Sequence, residues 1–153
     1  MALRVQDIMT DRVETVRPGT PAEEAWQLMR ANRIHHLVVT NKDGVAGVVS
    51  ERDIGGPRGA RLRRDQTVEA LMTPHPVTVE PTIPVRRAAN MMRGRAIGCL
   101  VVTQKKRVVG IVTVSDLLGL LGRGVERPVV DAKRWTLRHS TPHTKKPRPT
   151  GLW

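Results

Sequence analysis

Two stretches of this chain set a glycine, a hydroxyl and a carboxylate at identical spacing: Gly47-x-x-Ser50-x-x-Asp53 and Gly110-x-x-Thr113-x-x-Asp116. Glycine permits close backbone approach at a strand end. A hydroxyl, with the first free amides of a helix starting there, can hold a phosphate. An aspartate one turn later can accept both hydroxyls of a ribose through its two oxygens. Together these groups can hold a nucleotide. The same residues also admit a plainer reading, with Ser50 and Thr113 as helix N-caps and the aspartates completing capping boxes.

The two stretches belong to a longer duplication. Val5–Ile54 aligns with Val68–Leu117 at a constant offset of 63, and 20 of the 50 aligned positions are identical, among them Met9/Met72, Pro18/Pro81 and Met29/Met92. Fixed-period self-similarity signifies two copies of one supersecondary unit, each needing the other to bury its apolar face. A ligand site built from one copy then has a pseudo-symmetric twin.

Each copy reads β-α-β-β-α. A short segment, Val13–Val16 or Val77–Val79, forms a brief strand. In the first copy Thr20-Pro21-Ala22-Glu23 reads as an N-cap, a proline at the first helical position and a carboxylate beyond it. Helical periodicity follows through Ala25, Leu28 and Met29, and through Val85, Ala88, Met91 and Met92. The β-branched runs Ile34–Val39 and Ile97–Val102 predict buried strands. Turns at Asn41–Gly44 and Gln104–Arg107 lead into partners Val45–Val49 and Val108–Val112; the second turn lacks glycine and is the weaker hairpin signal. Ser50 and Thr113 then open the closing helices. The first of these is cut short at Gly55-Gly56-Pro57. The organisation is therefore repeat 1 (1–56), a basic linker (57–66), repeat 2 (67–122) and a basic, proline-containing extension (123–153).

Phe and Tyr are absent, so the core must be aliphatic. The lone Cys99 excludes an internal disulfide and, in an apolar run, reads as packing. No apolar run is long enough to span a bilayer, and MALRVQDIMT lacks a secretory leader's apolar stretch, so the cytoplasm is the default. Of the net charge of +12, residues 1–122 contribute 18 − 12 = +6 and residues 123–153 contribute 8 − 2 = +6. Such a surface attracts polyphosphates, nucleic acid or anionic membranes. The arginines at 58, 61, 63 and 64 form a solvated linker, a lid over bound phosphates, or part of a nucleic-acid footprint with the extension. There Lys133, Arg134, Trp135 and Arg138 set cations beside an aromatic ring, and Thr136–Trp153 reads as poorly ordered in isolation. His139-x-x-x-His143 has near-ligand spacing, but Pro142 disfavours a helix and no third ligand stands nearby.

The ordered pattern Ile8-Met9-Thr10, Thr15-Val16, a helix ending at Met29, Ile34-x-x-Leu37-Val-Val and Gly47-x-x-Ser50-x-x-Asp53, given twice, resembles a CBS domain pair, or Bateman module, over about residues 3–122. The resemblance implies an α/β (α+β) fold of two repeats related by a pseudo-two-fold axis. It further implies binding of adenosine compounds such as AMP, ADP, ATP or S-adenosylmethionine between the repeats, and a homodimer formed through helices. The apolar faces bearing Trp26, Leu28 and Met29, and Met91 and Leu118, suit that interface, some of them shared with the core. In the family the site is often crossed. Carried over, one site takes Thr10, Thr15, Ile34 and His35 with Thr113, Ser115 and Asp116. Its twin takes Thr73, Thr78, Ile97 and Gly98 with Ser50, Arg52 and Asp53; Arg52 is a phosphate contact there. His35-His36, opposite Gly98-Cys99, either stacks on a base or narrows the first pocket. Nothing supplies a nucleophile with an oriented base, so the expected role is a regulatory sensor rather than an enzyme, with no cofactor or metal required. The output partner is an enzyme, a transporter or a nucleic acid reached through the basic extension. The alternative is a nucleic-acid-binding protein using the pair as a dimeric scaffold.

Overall fold

The computed structural model describes residues 2–125. Each repeat opens with a one-turn helix that the sequence patterns do not announce. In the first copy α1 (Val5–Ile8) precedes β1 (Thr15–Val16), α2 (Ala22–Asn32), β2 (His36–Asn41) and β3 (Gly44–Ser50). A 3-10 turn, Gly56–Arg58, and α3 (Ala60–Arg63) lead to the second copy. That copy comprises α4 (Val68–Leu71), β4 (Thr73–Pro74), β5 (Thr78–Val79), α5 (Val85–Arg95), β6 (Cys99–Gln104), β7 (Arg107–Thr113) and α6 (Val114–Leu120). The chain to Leu118 is one compact unit; from Gly119 on it belongs to a second, described as far as a π-helical turn at Leu121–Val125.

β1 runs parallel to β2, which pairs antiparallel with β3; β5, β6 and β7 repeat this arrangement. Both hairpins slip register at the same place, between Val39 and Thr40 and between Val102 and Thr103. The glycine-free second hairpin forms all the same, with Lys105 and Lys106 both left-handed at φ 53° and 66°.

The opening segments are exchanged between repeats. Val5 is fully buried in the second repeat's core with Val79, Met92, Leu100 and Val112, and its N–H donates to Ile83 O at 2.9 Å. Val68 is buried among Ala25, Trp26, Met29, Leu37 and Val49 of the first repeat, and its N–H donates to Thr20 O at 2.8 Å. Full burial of a valine is worth about 1.5–3 kcal/mol, so each plug is a substantial anchor. A third cluster, Val38, Val48, Val101 and Ile111, joins the two sheets.

The exchange also moves the start of α2. Its helix begins at Ala22 with Pro21 as the extended N-cap, and no side chain caps it, contrary to the role expected of Thr20. The backbone supplies the partner instead: Ala22 N–H donates to Gln66 O at 2.8 Å. Of the apolar face expected to be shared between a dimer interface and the core, Trp26 and Met29 belong to the core, 4% and 1% exposed, and Leu28 packs partly on it. Met91 packs partly on the second core, whereas Leu118 is 61% exposed.

The linker arginines separate into two kinds. Arg58, Arg61 and Arg64 are exposed, but Arg63 is buried. Its guanidinium lies 4.7 Å from the Trp26 ring, pairs with Glu23 at 2.8 Å, and donates to Ile54 O at 2.8 Å and Gly56 O at 2.7 Å. The hydrogen bond from Arg63 Nε to Glu23, with a second from Gln27, holds the Glu23 carboxyl below the usual carboxylate range. Residues 51–55 form turns where the second repeat has α6, and Arg63 ties them down in place of a helix.

Candidate functional site

Each strand that ends at a hydroxyl delivers a reciprocal cap. Ser50 N–H donates to Asp53 Oδ2 at 2.8 Å, and Asp53 N–H returns a bond to Ser50 Oγ at 3.1 Å. In the second repeat Thr113 N–H donates to Asp116 Oδ2 at 2.8 Å and Asp116 N–H to Thr113 Oγ1 at 3.3 Å. The capping box and a ligand role are compatible, because the caps engage one carboxylate oxygen. The other oxygen of Asp116 accepts a weak bond from Thr10 Oγ1 at 3.3 Å. Among the described residues no hydrogen-bond donor reaches Oδ1 of Asp53.

Gly47 and Gly110 do permit a close backbone approach, but the approaching chain is protein. A methyl group on Gly47 would stand 2.9 Å from Thr73 O, and one on Gly110 3.0 Å from Thr10 O. Thr73 pairs with Val48 in β4–β3, and Thr10 bridges Ile111. The crossing of early and late elements is thus built into the backbone ladder.

A cleft of about 500 Å3 lies where these elements converge. It takes both members of several repeat-related pairs, His35 with Gly98, Ser50 with Thr113 and Arg52 with Ser115, so it straddles the pseudo-dyad. Asp53 and Thr73 complete the expected contributors. Thr10 and Asp116 join it through the Thr113 cap rather than along the wall. Four expected residues lie elsewhere. Ile34 and Ile97 pack against the first and second cores, and Thr15 and Thr78 sit in β1 and β5 beside Val38 and Val101. The core claims the two isoleucines because each follows its helix directly, with Ile34 N–H donating to Met29 O and Ile97 N–H to Met92 O, both at 3.0 Å.

Sequence reasoning did not place Glu51 and Cys99 in the site and weighed His36 there only beside His35, yet all three line the cleft. Strand alternation sends neighbours to opposite faces, but β2 begins at His36, so His35 escapes that rule. Its Nδ1 lies 3.3 Å from Glu51 Oε2. Burial holds the His36 imidazole below its ordinary pKa; neighbouring His35 pushes the same way, while Asp53 and Asp116 oppose it. Burial also pushes the Cys99 thiol up to about 12, with Asp116 and Asp53 adding to the shift. The floor of the cleft therefore presents a neutral imidazole and a neutral thiol, while Arg52 supplies a cation that forms no ion pair among the described residues. Such a surface suits a ligand with an uncharged aromatic part and an anionic or polyhydroxyl part. Among the described residues no cluster of His, Cys, Asp and Glu could hold a metal ion, and no helix is long and apolar enough to cross a membrane. The basic and aromatic residues of 127–153, with His139 and His143, lie outside the described residues.

Known proteins share this arrangement. The family model of the CBS domain matches residues 5–54 and again 68–123. A CBS domain-containing protein of Dictyostelium discoideum is 34% identical over 140 residues, covering 82% of this chain and 96% of its own length. A homoserine O-acetyltransferase of Methanohalobium evestigatum is 34% identical over 119 residues, which is 76% of this chain but 24% of that enzyme. Among solved structures, a CBS domain pair in complex with 5′-methylthioadenosine and S-adenosyl-L-methionine superposes with a TM-score of 0.71 at 27% identity, covering 80% of this chain and 98% of that one. With both repeats matched and the fold reproduced, this chain belongs to the CBS domain family as a tandem pair.

Proposed function

We propose that the dyad cleft binds an adenosine-type ligand, AMP, ADP, ATP or S-adenosylmethionine, and that the chain is a regulatory module rather than an enzyme. The observation that carries this reading is the convergence of Ser50, Arg52 and Asp53 with Thr113 and Ser115 on one cleft of about 500 Å3. Asp53, with an unengaged oxygen, takes the ribose hydroxyls; Arg52 takes phosphate or carboxylate; His35 and His36 stack on the base. The adenosine ligands of the similar CBS pair support the ligand class. Binding bridges the two repeats, and differential affinity for two arrangements of a homodimer supplies the signal. Leu118, exposed on α6, is the described apolar residue most open to such a partner. The output runs to an enzyme, a transporter or a nucleic acid through the basic extension.

Thermal shift against AMP, ADP, ATP, S-adenosylmethionine and NAD tests this reading. A ligand at a hundredfold its Kd stabilises the native state by about 2.7 kcal/mol. One adenosine compound is expected to raise Tm, and Asp53→Ala or Asp116→Ala to abolish the rise, each variant measured against its own ligand-free Tm because the caps are lost too. No rise with any compound, in protein free of co-purified nucleotide, refutes the proposal.

A further inference from the structure

We infer that the chain carries a second anion site, for a compact oligophosphate, at the end of the repeat interface opposite the dyad cleft. β3 runs from Gly44 to Ser50, so its two ends lie about 20 Å apart. At the Gly44 end the two hairpin turns, one from each repeat, face each other across a cleft of about 490 Å3. Lys42 comes from the first turn and Lys105, Lys106 and Arg107 from the second, with Asp43 the acid among the lining residues. Among the described residues none of these four cations forms an ion pair. Neutral donors stand beside them. Asn41 Oδ1 already accepts from the Asp43 N–H at 2.8 Å, which leaves the amide nitrogen to donate outward, and Thr15 and Thr40 add hydroxyls.

The backbone of the second turn argues against a merely solvated hairpin. Lys105 and Lys106 are consecutive left-handed residues at φ 53° and 66°, a conformation that L side chains resist and that Asn-Gly fills without strain. The same chain meets its left-handed requirement in the first hairpin with Gly44, at φ 118°. The second repeat instead holds two strained lysines whose charges join Arg107 at one concave spot. Such strain clusters at functional sites, and of the chain's left-handed non-glycine residues Lys105 and Lys106 are the consecutive pair. The concavity, closed on two sides by turns, fits a short phosphate chain rather than an extended duplex. This site uses none of the dyad-cleft residues and stands whether or not adenosine binds there.

The test uses the full-length protein and inorganic tripolyphosphate, read by backbone amide NMR. Saturable shifts are expected at residues 41–44 and 105–107. The double variant Lys105→Asn, Lys106→Gly should melt at or above the wild-type temperature, because its turn is now unstrained, yet bind tripolyphosphate at least fivefold more weakly. Asp53→Ala should bind it like wild type. Unmoved turn amides, a loss below fivefold in the double variant, or weakened binding in Asp53→Ala would overturn the inference. A single-stranded oligonucleotide that titrates these amides more tightly than tripolyphosphate would also overturn it, by making nucleic acid the occupant.

Discussion

Replacing Arg63 with methionine removes the tie between the linker and the turn that carries Asp53. Two carbonyls lose a charged donor, Ile54 O at 2.8 Å and Gly56 O at 2.7 Å. Hydrogen bonds to charged groups contribute about 1.5–3 kcal/mol each. The guanidinium also leaves the face of Trp26, at 4.7 Å, an interaction of roughly 0.5–2 kcal/mol. Against this, methionine fills much of the volume, and a buried charge no longer needs desolvating. The net expectation is a loss of about 3 kcal/mol, or a fall in Tm of roughly 10 °C for a unit of this size. Urea unfolding, fitted for midpoint and slope, measures it. Arg61→Met, at an exposed position of the same helix, is the control and should stay within about 0.5 kcal/mol. A loss under about 1 kcal/mol for Arg63→Met would refute the argument that this side chain substitutes for the missing closing helix.

Gly47→Ala places a methyl group 2.9 Å from Thr73 O and in collision with Met72 Sδ. The thioether can swing aside but the carbonyl sits beside the β3–β4 ladder, so a loss of about 1–3 kcal/mol is expected, and an unchanged Tm would mean that β4 slides freely. His36 titrates in the folded chain below its ordinary value of 6.5, so the unfolded state takes up its proton first. Stability is therefore full above about pH 6.5 and falls on acidification, a slope that His36→Gln should flatten between pH 7 and 5.5 in urea midpoints. Equal slopes for the two proteins would assign the fall to other groups.

The β-α-β-β core of each repeat was legible because aliphatic runs and one helical stripe determine it, and the 63-residue offset announced the pseudo-symmetry. The capping residues at Ser50 and Thr113 were legible for the same local reason. What sequence missed was long-range. Val5–Ile8 and Val68–Leu71 are too short for periodicity, and only the opposite repeat's core makes them helical. Arg63 carries the same residue type as Arg61 and Arg64, and only its position over Trp26 distinguishes it. Ile34 and Ile97 were given to the cleft by the family resemblance, and they stand partly buried against the two cores, a placement that depends on the helix before each.

The exchanged openings impose an order on synthesis. Val5 is made well before Leu100 and Val112 and has no berth until they exist, and Thr10 finds its backbone partner only with Ile111. The first repeat's core can close earlier, once Val68 is available, 113 − 68 = 45 residues before β7 is complete. A nascent chain therefore leaves the ribosome with the segment from Val5 to Thr10 waiting. A fusion partner placed directly before Val5 must leave that segment long enough to thread back onto the last strand made.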